Sequence, residues 1–234
     1  MSKKTIGIIG GMGPAATADL FTKIISSTKA GCDQEHLRVI IDSNTAIPDR
    51  TDALLHGGAS PVPQMQLSAR ALEAAGADLL IMPCNTAHGF YSEVCEAVNI
   101  PVLHMIRITA DALTRRGIKC AGLLATDGTV QTGIYADCFS GSGIELLTPS
   151  PENQAAVMDL TYGGVKAGRR SYDTRRFELA VHELFDRGAE TLILGCTELP
   201  PAFGMYHLDY PFIDPTLELA RAAVLAAGGE LSRP

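Results

Sequence analysis

Two of the six cysteines occupy matching positions and have the strongest capacity for chemistry in this sequence. Cys84 and Cys196 each follow a short apolar run and precede a polar pair, Asn-Thr in one case and Thr-Glu in the other. A thiol at the carboxyl end of a parallel strand lies where ligands collect in open α/β sheets. Two such thiols suit proton transfer at one carbon, because one thiolate removes a proton from one face while the other thiol donates to the opposite face.

The other four cysteines are scattered along the chain, without a CxxC pair or the spacing of a zinc ribbon. We therefore expect neither a metal site nor a disulfide framework. Cys32, Cys95, Cys120 and Cys138 are interpreted as small hydrophobic residues of the interior.

Short β-rich runs alternate with segments of helical periodicity, which is typical of the α/β class with parallel sheets. Several runs are apolar without alternation, as expected for strands that are covered on both faces. The predicted strands are 5–9, 37–42, 78–82, 102–104, 120–124, 144–147, 191–194 and 212–214. The predicted helices are 15–29, 63–75, 106–116, 129–139, 152–166, 173–187 and 216–227.

The two halves of the chain resemble each other. Residues 6–13 and 121–128 both read as an apolar strand that runs into a tight loop, and residues 79–86 and 191–198 both end in the cysteine motif. This repeat predicts two pseudo-symmetric lobes, each a mostly parallel sheet flanked by helices, with equivalent loops able to face one another. We place residues 1–104 plus 212–234 in the N-terminal lobe with Cys84, and residues 105–211 in the C-terminal lobe with Cys196.

Composition excludes several classes of protein. No apolar run approaches the roughly 20 residues of a membrane-spanning helix, and no basic segment leads into an apolar one at the start, so a soluble cytoplasmic protein without membrane contact is expected. The net charge of −7, without basic clusters, speaks against nucleic acid as a partner.

Four segments resemble motifs of the aspartate/glutamate racemase superfamily, in particular its aspartate racemase branch: Gly10-Gly-Met-Gly-Pro14, Pro48-Asp-Arg-Thr51, Pro83-Cys-Asn-Thr-Ala-His88 and Gly195-Cys-Thr-Glu-Leu-Pro200. The resemblance extends from residue 6 to residue 214. It implies a two-lobe α/β fold, a homodimer, an acidic amino acid as the substrate, and catalysis by Cys84 and Cys196 without pyridoxal phosphate or metal.

A dicarboxylate amino acid needs donors for both of its carboxylates. Asn85, Thr86 and Thr197 adjoin the cysteines and supply amide, hydroxyl and backbone donors. The resemblance assigns the distal carboxylate to Arg50 and Lys166. The remaining candidates lie in the loops of the two lobes or beside Cys196, and they are Met12, Gly13, Thr126, Thr129 and Glu198.

Several roles stay open at this point. Glu198 either accepts the substrate ammonium or tunes Cys196; relatives that act only on glutamate tend to carry His here, which favours the aspartate branch. His88 either assists the thiol or is structural, and Asp49 either orients Arg50 or caps a helix. Since an isolated thiol titrates at about 8.5, we expect helix N-termini and the substrate ammonium to lower the pKa of one thiol.

Three other functions are compatible with parts of the sequence. The stretch Gly11-Met-Gly-Pro-Ala-Ala16 formally satisfies a dinucleotide-binding fingerprint, although Pro14 and the distance to Asp42 fit it poorly. A superfamily relative that acts on another short acid, such as a maleate isomerase or an arylmalonate decarboxylase-like enzyme, would use the same paired loops. A two-lobe protein that only binds an acidic amino acid would not need the two cysteines.

Overall fold

The computed structural model describes residues 3–232, and the chain divides into two compact units. The first unit comprises residues up to Ile108 together with those from Thr216 onward, and the second comprises Thr109–Pro215. Each unit is built around one parallel β-sheet with helices packed against it.

The first unit contains a sheet of three strands in the order β2-β1-β3, all parallel. Every residue of β1 is buried, which explains why this strand lacks polar alternation. Its elements are β1 (Ile6–Gly10), α1 (Pro14–Ser27), β2 (Val39–Ser43), α2 (Arg50–Leu55), α3 (Val62–Ala74), β3 (Leu79–Ile81), a 3₁₀ turn (Thr86–Phe90) and α4 (Tyr91–Cys95).

The chain leaves the first unit in helix α5 (Met105–Arg115) and returns to it in helix α11 (Pro215–Ala226). The first core forms where α1 and α11 pack on β1 and β3, through residues such as Ile8, Leu20, Ile81 and Leu219.

The second unit contains a sheet of four parallel strands in the order β5-β4-β6-β7. Its elements are β4 (Cys120–Leu124), α6 (Asp127–Gln131), α7 (Ile134–Phe139), β5 (Glu145–Leu147), α8 (Pro151–Asp159), a π-helix (Leu160–Lys166), α9 (Arg175–Asp186), β6 (Thr191–Leu194), α10 (Leu199–Met205) and β7 (Phe212–Ile213). Helices α8 and α9 cover β4 and β6 through a core that includes Val157, Phe177, Leu184 and Leu192.

The two sheets have the same topology. In the first sheet Leu80 forms a parallel bridge to Val102, and in the second Leu192 pairs with Phe212 in the same way. The sheet orders therefore correspond strand for strand, with the bridge at Val102 standing where β7 stands in the second sheet. The predicted fold class, two lobes that each contain a parallel sheet flanked by helices, is confirmed.

Proline positions explain several helix starts. Pro14, Pro63, Pro151 and Pro200 lie in the first turn of α1, α3, α8 and α10. The first-turn N–H groups of a helix have no intrahelical acceptor, so proline costs nothing there and its fixed φ favours the helix. Pro14 and Pro200 begin helices that directly follow candidate site residues, Met12 and Gly13 in the first unit and Cys196–Glu198 in the second.

Some sequence predictions differ from the structure. The predicted helix 129–139 is divided into α6 and α7, because Gly133 adopts a left-handed φ of 70° between them. The predicted helix 152–166 changes from α to π geometry at Leu160. The predicted strand at 102–104 is reduced to the bridge at Val102.

The predicted lobe boundaries differ as well. Residues 105–108 belong to the first unit instead of the C-terminal lobe, and residues 212–215 belong to the second unit instead of the N-terminal lobe. Phe212 and Ile213 pair with β6 in the second sheet. Cys32 was interpreted as buried and is exposed, because it lies in the loop after α1. Within residues 3–232, no helix is both long enough and apolar enough to cross a bilayer.

Candidate active site

The first unit buries Cys84 at the end of its third strand. Met82 and Pro83 separate β3 from Cys84, whose side chain is 7% exposed and packs in a cluster with Met12 and Ala87. Asn85 and Thr86 are buried immediately after it. The structure therefore brings the predicted residues Met12, Cys84, Asn85 and Thr86 together at the carboxyl end of this sheet.

His88 has a structural role in this loop. Its Nδ1 atom lies 2.8 Å from the carbonyl oxygen of Cys84, and its Nε2 atom lies 3.1 Å from the backbone nitrogen of Met105. Because Nε2 accepts from an N–H group, the proton resides on Nδ1 and is donated to the carbonyl. Burial, together with the nearby His104, lowers the pKa of His88 to about 3. The imidazole is therefore a neutral link between the cysteine loop and the start of α5, and it does not bond to the thiol.

Arg50 begins α2 and is surrounded by carbonyl oxygens. Its Nη1 atom donates to Pro48 at 2.8 Å, and its Nη2 atom donates to Met12 at 3.4 Å. The Nε atom is buried and has no hydrogen-bond partner among residues 3–232. No ion pair of Arg50 is found in that range either. A guanidinium held by dipoles alone keeps its charge available for a carboxylate.

The structure also shows the surroundings of Asp49, which precedes Arg50, and of Gly13, which follows Met12. The Asp49 carboxylate accepts from the backbone nitrogen of Asp52 at 2.9 Å and so caps α2. Helix α2 contacts the 3₁₀ turn that follows Cys84. Gly13 is the N-cap residue of α1, and a Cβ atom there would meet nothing within 4 Å. Gly13 therefore borders open space next to Met12, whose carbonyl Arg50 binds.

The second unit buries Cys196 in the equivalent place. Cys196 follows β6 and Gly195, and it is 6% exposed within the core that includes Leu160 and Leu199. Its Sγ atom donates to Oε2 of Glu198 at 2.9 Å, and Oγ1 of Thr197 donates to the same oxygen at 3.1 Å. Thr197, Glu198 and Cys196 thus form one hydrogen-bonded group.

The pKa of the Cys196 thiol is raised well above its ordinary value. Burial is the largest cause, and the negative charge of Glu198 and its side-chain hydrogen bond add to it. The backbone N–H of Glu198 and the Lys166 ammonium oppose it. The lowering of one thiol pKa that the sequence predicts is therefore not found at Cys196, although the backbone N–H of Glu198, the N-cap residue of α10, acts in that direction. Of the two roles left open for Glu198, its contact with the thiol supports the tuning of Cys196.

Thr126 and Thr129 lie at the start of α6, as its N-cap residue and in its first turn. The backbone nitrogen of Gly195 donates to the carbonyl of Leu124 at 2.8 Å, which holds the loop after β4 beside the loop after β6. Both threonines are buried, and their Oγ1 atoms are 3.3 Å apart. Their hydroxyl groups are therefore fixed relative to each other near the end of the sheet.

Lys166 is the last residue of the π-helix, and its Nζ atom lies over the ring of Tyr162 at 4.2 Å from the centroid. Tyr162 is absent from the predicted site residues, although its spacing from Lys166 is a usable signal. Tyr135, a fully buried residue of α7, is absent as well; burial raises its pKa, and the nearby Cys138, Asp214 and Cys196 add to that rise. No sequence motif marks Tyr135.

Two parallel sheets of one topology, each followed by a buried cysteine at the corresponding strand, define a duplicated α/β protein with a pair of equivalent thiols. The family model described as Asp/Glu/Hydantoin racemase matches residues 9–223. This chain therefore belongs to the Asp/Glu/Hydantoin racemase family, and the sequence resemblance is confirmed.

Individual relatives agree with this assignment. The chain is 26% identical over 232 residues to the broad specificity amino-acid racemase RacX of Bacillus subtilis, covering 94% of this chain and 96% of that protein. Among solved structures, the aspartate racemase of Picrophilus torridus is similar with a TM-score of 0.83 and 34% identity, covering 98% of this chain and 96% of that one. An aspartate racemase homologue from Pyrococcus horikoshii has a TM-score of 0.77 and 26% identity, covering 96% and 99% respectively.

Proposed function

We propose that this chain is a cofactor-independent racemase that interconverts L- and D-aspartate, with glutamate as a second substrate, and that Cys84 and Cys196 are its two acid–base groups. The equivalent placement of the two thiols is the main support. Leu80 bridges to Val102 and Leu192 pairs with Phe212 in sheets of one topology, and a cysteine follows each leucine at the same distance along the chain.

In this mechanism one cysteine acts as a thiolate and the other as a thiol. The thiolate takes the α-proton, an S–H bond forms, and the electron pair of the broken C–H bond is delocalised into the α-carboxylate. The other thiol then donates its proton to the opposite face of the α-carbon, which gives the other enantiomer and leaves the two sulfurs with exchanged protonation states. Cys196 is set up as the initial donor, because burial and Glu198 keep it protonated.

The surrounding donors suit the charge that develops in this step. Asn85 and Thr86 adjoin Cys84, and Thr197 adjoins Cys196; all three are buried. Hydrogen-bond donors fixed in a site from which water is excluded stabilise an enolate-like α-carboxylate more strongly than water does. These residues are therefore proposed to hold the α-carboxylate.

The proposed preference for an acidic substrate depends on two cations. Arg50 has only carbonyl partners among residues 3–232, and Lys166 lies at the end of the π-helix with its ammonium over an aromatic ring. A distal carboxylate would give Arg50 the bidentate partner that its guanidinium geometry favours. Because RacX is named a broad specificity racemase, neutral amino acids belong in the test.

The deciding experiment is chiral chromatography of both enantiomers of aspartate, glutamate and alanine after incubation with the purified protein. We expect the acidic pairs to interconvert without added pyridoxal phosphate and in the presence of hydroxylamine, which scavenges that cofactor. Conversion of alanine alone would contradict the acidic preference. Conversion of maleate to fumarate without racemisation would indicate the isomerase alternative, and binding without turnover would indicate a binding protein.

The role of the thiols is tested by Cys84→Ala and Cys196→Ala, with Cys32→Ala as the matched control at an exposed cysteine. Each of the first two variants should lose racemisation, while exchange of the α-proton with D₂O persists for one enantiomer. The control should keep wild-type activity. Racemisation at the wild-type rate in both single variants would refute the two-base proposal.

The homodimer implied by the resemblance and the cytoplasmic location expected from the composition are also proposals. Sedimentation velocity of the purified chain tests the first, and a single species at the monomer mass would contradict it.

A further inference from the structure

The π-helix Leu160–Lys166 is the least ordinary element of the second unit. Such i→i+5 turns are rare and occur frequently at functional sites. This one is continuous with α8 and ends in Lys166, one of the two cations assigned above to the substrate. Leu160 at its start belongs to the same core as Cys196. The π geometry therefore determines where the Lys166 ammonium lies relative to the thiol.

Tyr172 packs directly on this helix at two glycines. A Cβ atom at Gly163 would lie 3.3 Å from the hydroxyl oxygen of Tyr172, and one at Gly164 would lie 3.3 Å from ring atoms of Tyr172. These distances are shorter than ordinary van der Waals contacts, so any larger residue would push the ring away. The two glycines thus provide the surface on which the tyrosine ring rests.

Hydrogen bonds fix the segment that carries Tyr172. Its hydroxyl donates to the carbonyl of Asp159, the residue before the π-helix, at 3.3 Å. The hydroxyl of Tyr206 donates to the carbonyl of Arg169 at 2.7 Å, and the two tyrosine rings are 6.2 Å apart. The segment 167–174 is consequently tied to both the start of the π-helix and α10.

We propose that Tyr172 is a positioning residue for Lys166: its ring and hydroxyl hold the π-helix in the geometry that presents the ammonium to the substrate carboxylate. Tyr162 and Lys166 both belong to this helix, so the contact between ammonium and ring depends on the same geometry. The inference rests on the proposed function for the identity of the substrate. The placement of Lys166 relative to Cys196 does not depend on it.

The first test compares Tyr172→Phe, which removes only the hydroxyl, with Tyr172→Leu, which also removes the ring. Loss of one neutral hydrogen bond corresponds to about a two- to tenfold effect, so Tyr172→Phe should raise KM for aspartate in that range. Tyr172→Leu should raise it further, with kcat nearly unchanged in both. The matched control is Tyr210→Phe, whose hydroxyl bonds to Glu178 away from the π-helix, and it should leave KM unchanged.

The second test does not need racemase activity. Burial and Glu198 raise the pKa of Cys196, and the positive charge of Lys166 opposes that rise, so the pH midpoint of Cys196 alkylation by iodoacetamide reports where that charge lies. Mass spectrometry of the Cys196 peptide follows this reaction. Lys166→Met should move the midpoint to higher pH, Tyr172→Leu should move it part of the way, and Tyr172→Phe should restore most of the wild-type value.

The outcomes separate this inference from the function it builds on. Inactive wild-type protein would refute the proposed function, while the alkylation midpoints would still decide the role of Tyr172. A folded Tyr172→Leu variant with wild-type KM and midpoint would overturn the inference. So would a variant in which kcat falls by the same factor as KM rises while the midpoint is unchanged. If Tyr172→Leu does not fold, Tyr172→Phe and Gly164→Ala decide. Both should raise KM, and Gly164→Ala, whose Cβ displaces the Tyr172 ring, should also move the midpoint to higher pH. Wild-type KM in both variants with a wild-type midpoint in Gly164→Ala would overturn the inference.

Discussion

The Sγ atom of Cys196 and the Oε2 atom of Glu198 are 2.9 Å apart, and the thiol donates its proton to the carboxylate. The two residues are separated by Thr197 alone, whose hydroxyl bonds to the same oxygen. A thiol that is buried and next to a negative charge stays protonated. Cys196 is therefore the proton donor in one of the proposed directions of racemisation. In the other direction it acts as the base, and Glu198 is the neighbouring group that can accept its proton.

Glu198→Gln tests these two roles of Cys196, proton donor in one direction and base in the other. Without the negative charge, the pKa of Cys196 falls, although burial keeps it above the ordinary value. We therefore expect faster alkylation of Cys196 at neutral pH. Racemisation should fall by about 10²- to 10⁴-fold, the range for loss of a general acid–base group. The value of kcat should fall most strongly in the direction that needs Cys196 as the base, whereas kcat/KM must fall equally in both directions because the two enantiomers have the same free energy.

Alkylation is measured on the Cys196 peptide, and racemisation is measured from each enantiomer separately. Glu152→Gln, at an exposed residue of α8, is the control. Slower alkylation in Glu198→Gln would contradict the electrostatic role of the carboxylate. Equal losses of kcat in both directions would show that Glu198 does not distinguish the two steps.

Arg50→Ala should raise KM for aspartate by about 10- to 100-fold, because a charge-assisted hydrogen bond contributes about 1.5–3 kcal/mol. Arg50→Lys should recover only part of this loss, since an ammonium cannot bind both carboxylate oxygens as a guanidinium does. Steady-state kinetics with aspartate measures both variants. Arg70→Ala, at an exposed arginine of α3, is the control, and an unchanged KM in Arg50→Ala would remove Arg50 from the site.

The neutral His88 makes stability depend on pH. Its pKa is about 3 in the folded protein and near 6.5 in the unfolded chain, so the unfolded state binds more protons between these values. The stabilisation from neutral His88 is therefore complete above about pH 6.5 and is lost as the pH falls towards 3. His104 titrates in the same sense, with a pKa lowered to about 4 by burial and Arg107.

Urea denaturation at several pH values between 4 and 7 measures this dependence. We expect His88→Asn to be less stable at pH 7 and to lose less free energy of unfolding on acidification than the wild type. His56→Gln, at an exposed histidine of the same unit, should leave the pH dependence unchanged. An identical slope in wild type and His88→Asn would mean that His88 does not carry the effect.

Strand positions and the cysteine loops were predictable because they depend on local composition. Strands β4 and β6 have the predicted bounds. A parallel strand that is covered on both faces forms an almost continuous apolar run, so the ends of the run indicate the ends of the strand. The predicted strand 212–214 belongs to the second lobe instead of the first, where it pairs with β6. The order of strands depends on contacts between distant segments. No composition signal distinguishes these alternatives.

The geometry of the site was less accessible to sequence reasoning. The hydrophobic pattern of residues 152–166 fits α and π geometry equally well over two turns, so the change at Leu160 has no sequence signature. The adjacency of Cys196 and Glu198 in sequence allowed their interaction to be anticipated. The packing of Tyr172 on Gly163 and Gly164 depends on the path of the intervening segment, and the two glycines alone did not indicate it.

The last prediction concerns Gly195, which precedes Cys196. A Cβ atom there would lie 2.6 Å from Cδ1 of Leu123 and 3.0 Å from Cβ of Ala125. Because Leu123 is buried in β4 and Ala125 begins the loop with Thr126, neither can move without disturbing the sheet or the candidate site. Gly195→Ala should therefore destabilise the protein by about 1–3 kcal/mol, the usual cost of overpacking.

Gly204 in α10 is the matched control, since it is exposed and a Cβ atom there meets nothing within 4 Å. Gly204→Ala should stabilise the protein by about 0.5–1 kcal/mol, because alanine loses less backbone entropy in a helix. Urea denaturation at pH 7 compares the two variants with the wild type. Equal stability of Gly195→Ala and wild type would mean that the strand ends have more room than these distances allow, and the close approach of the two loops beside Cys196 would then be wrong.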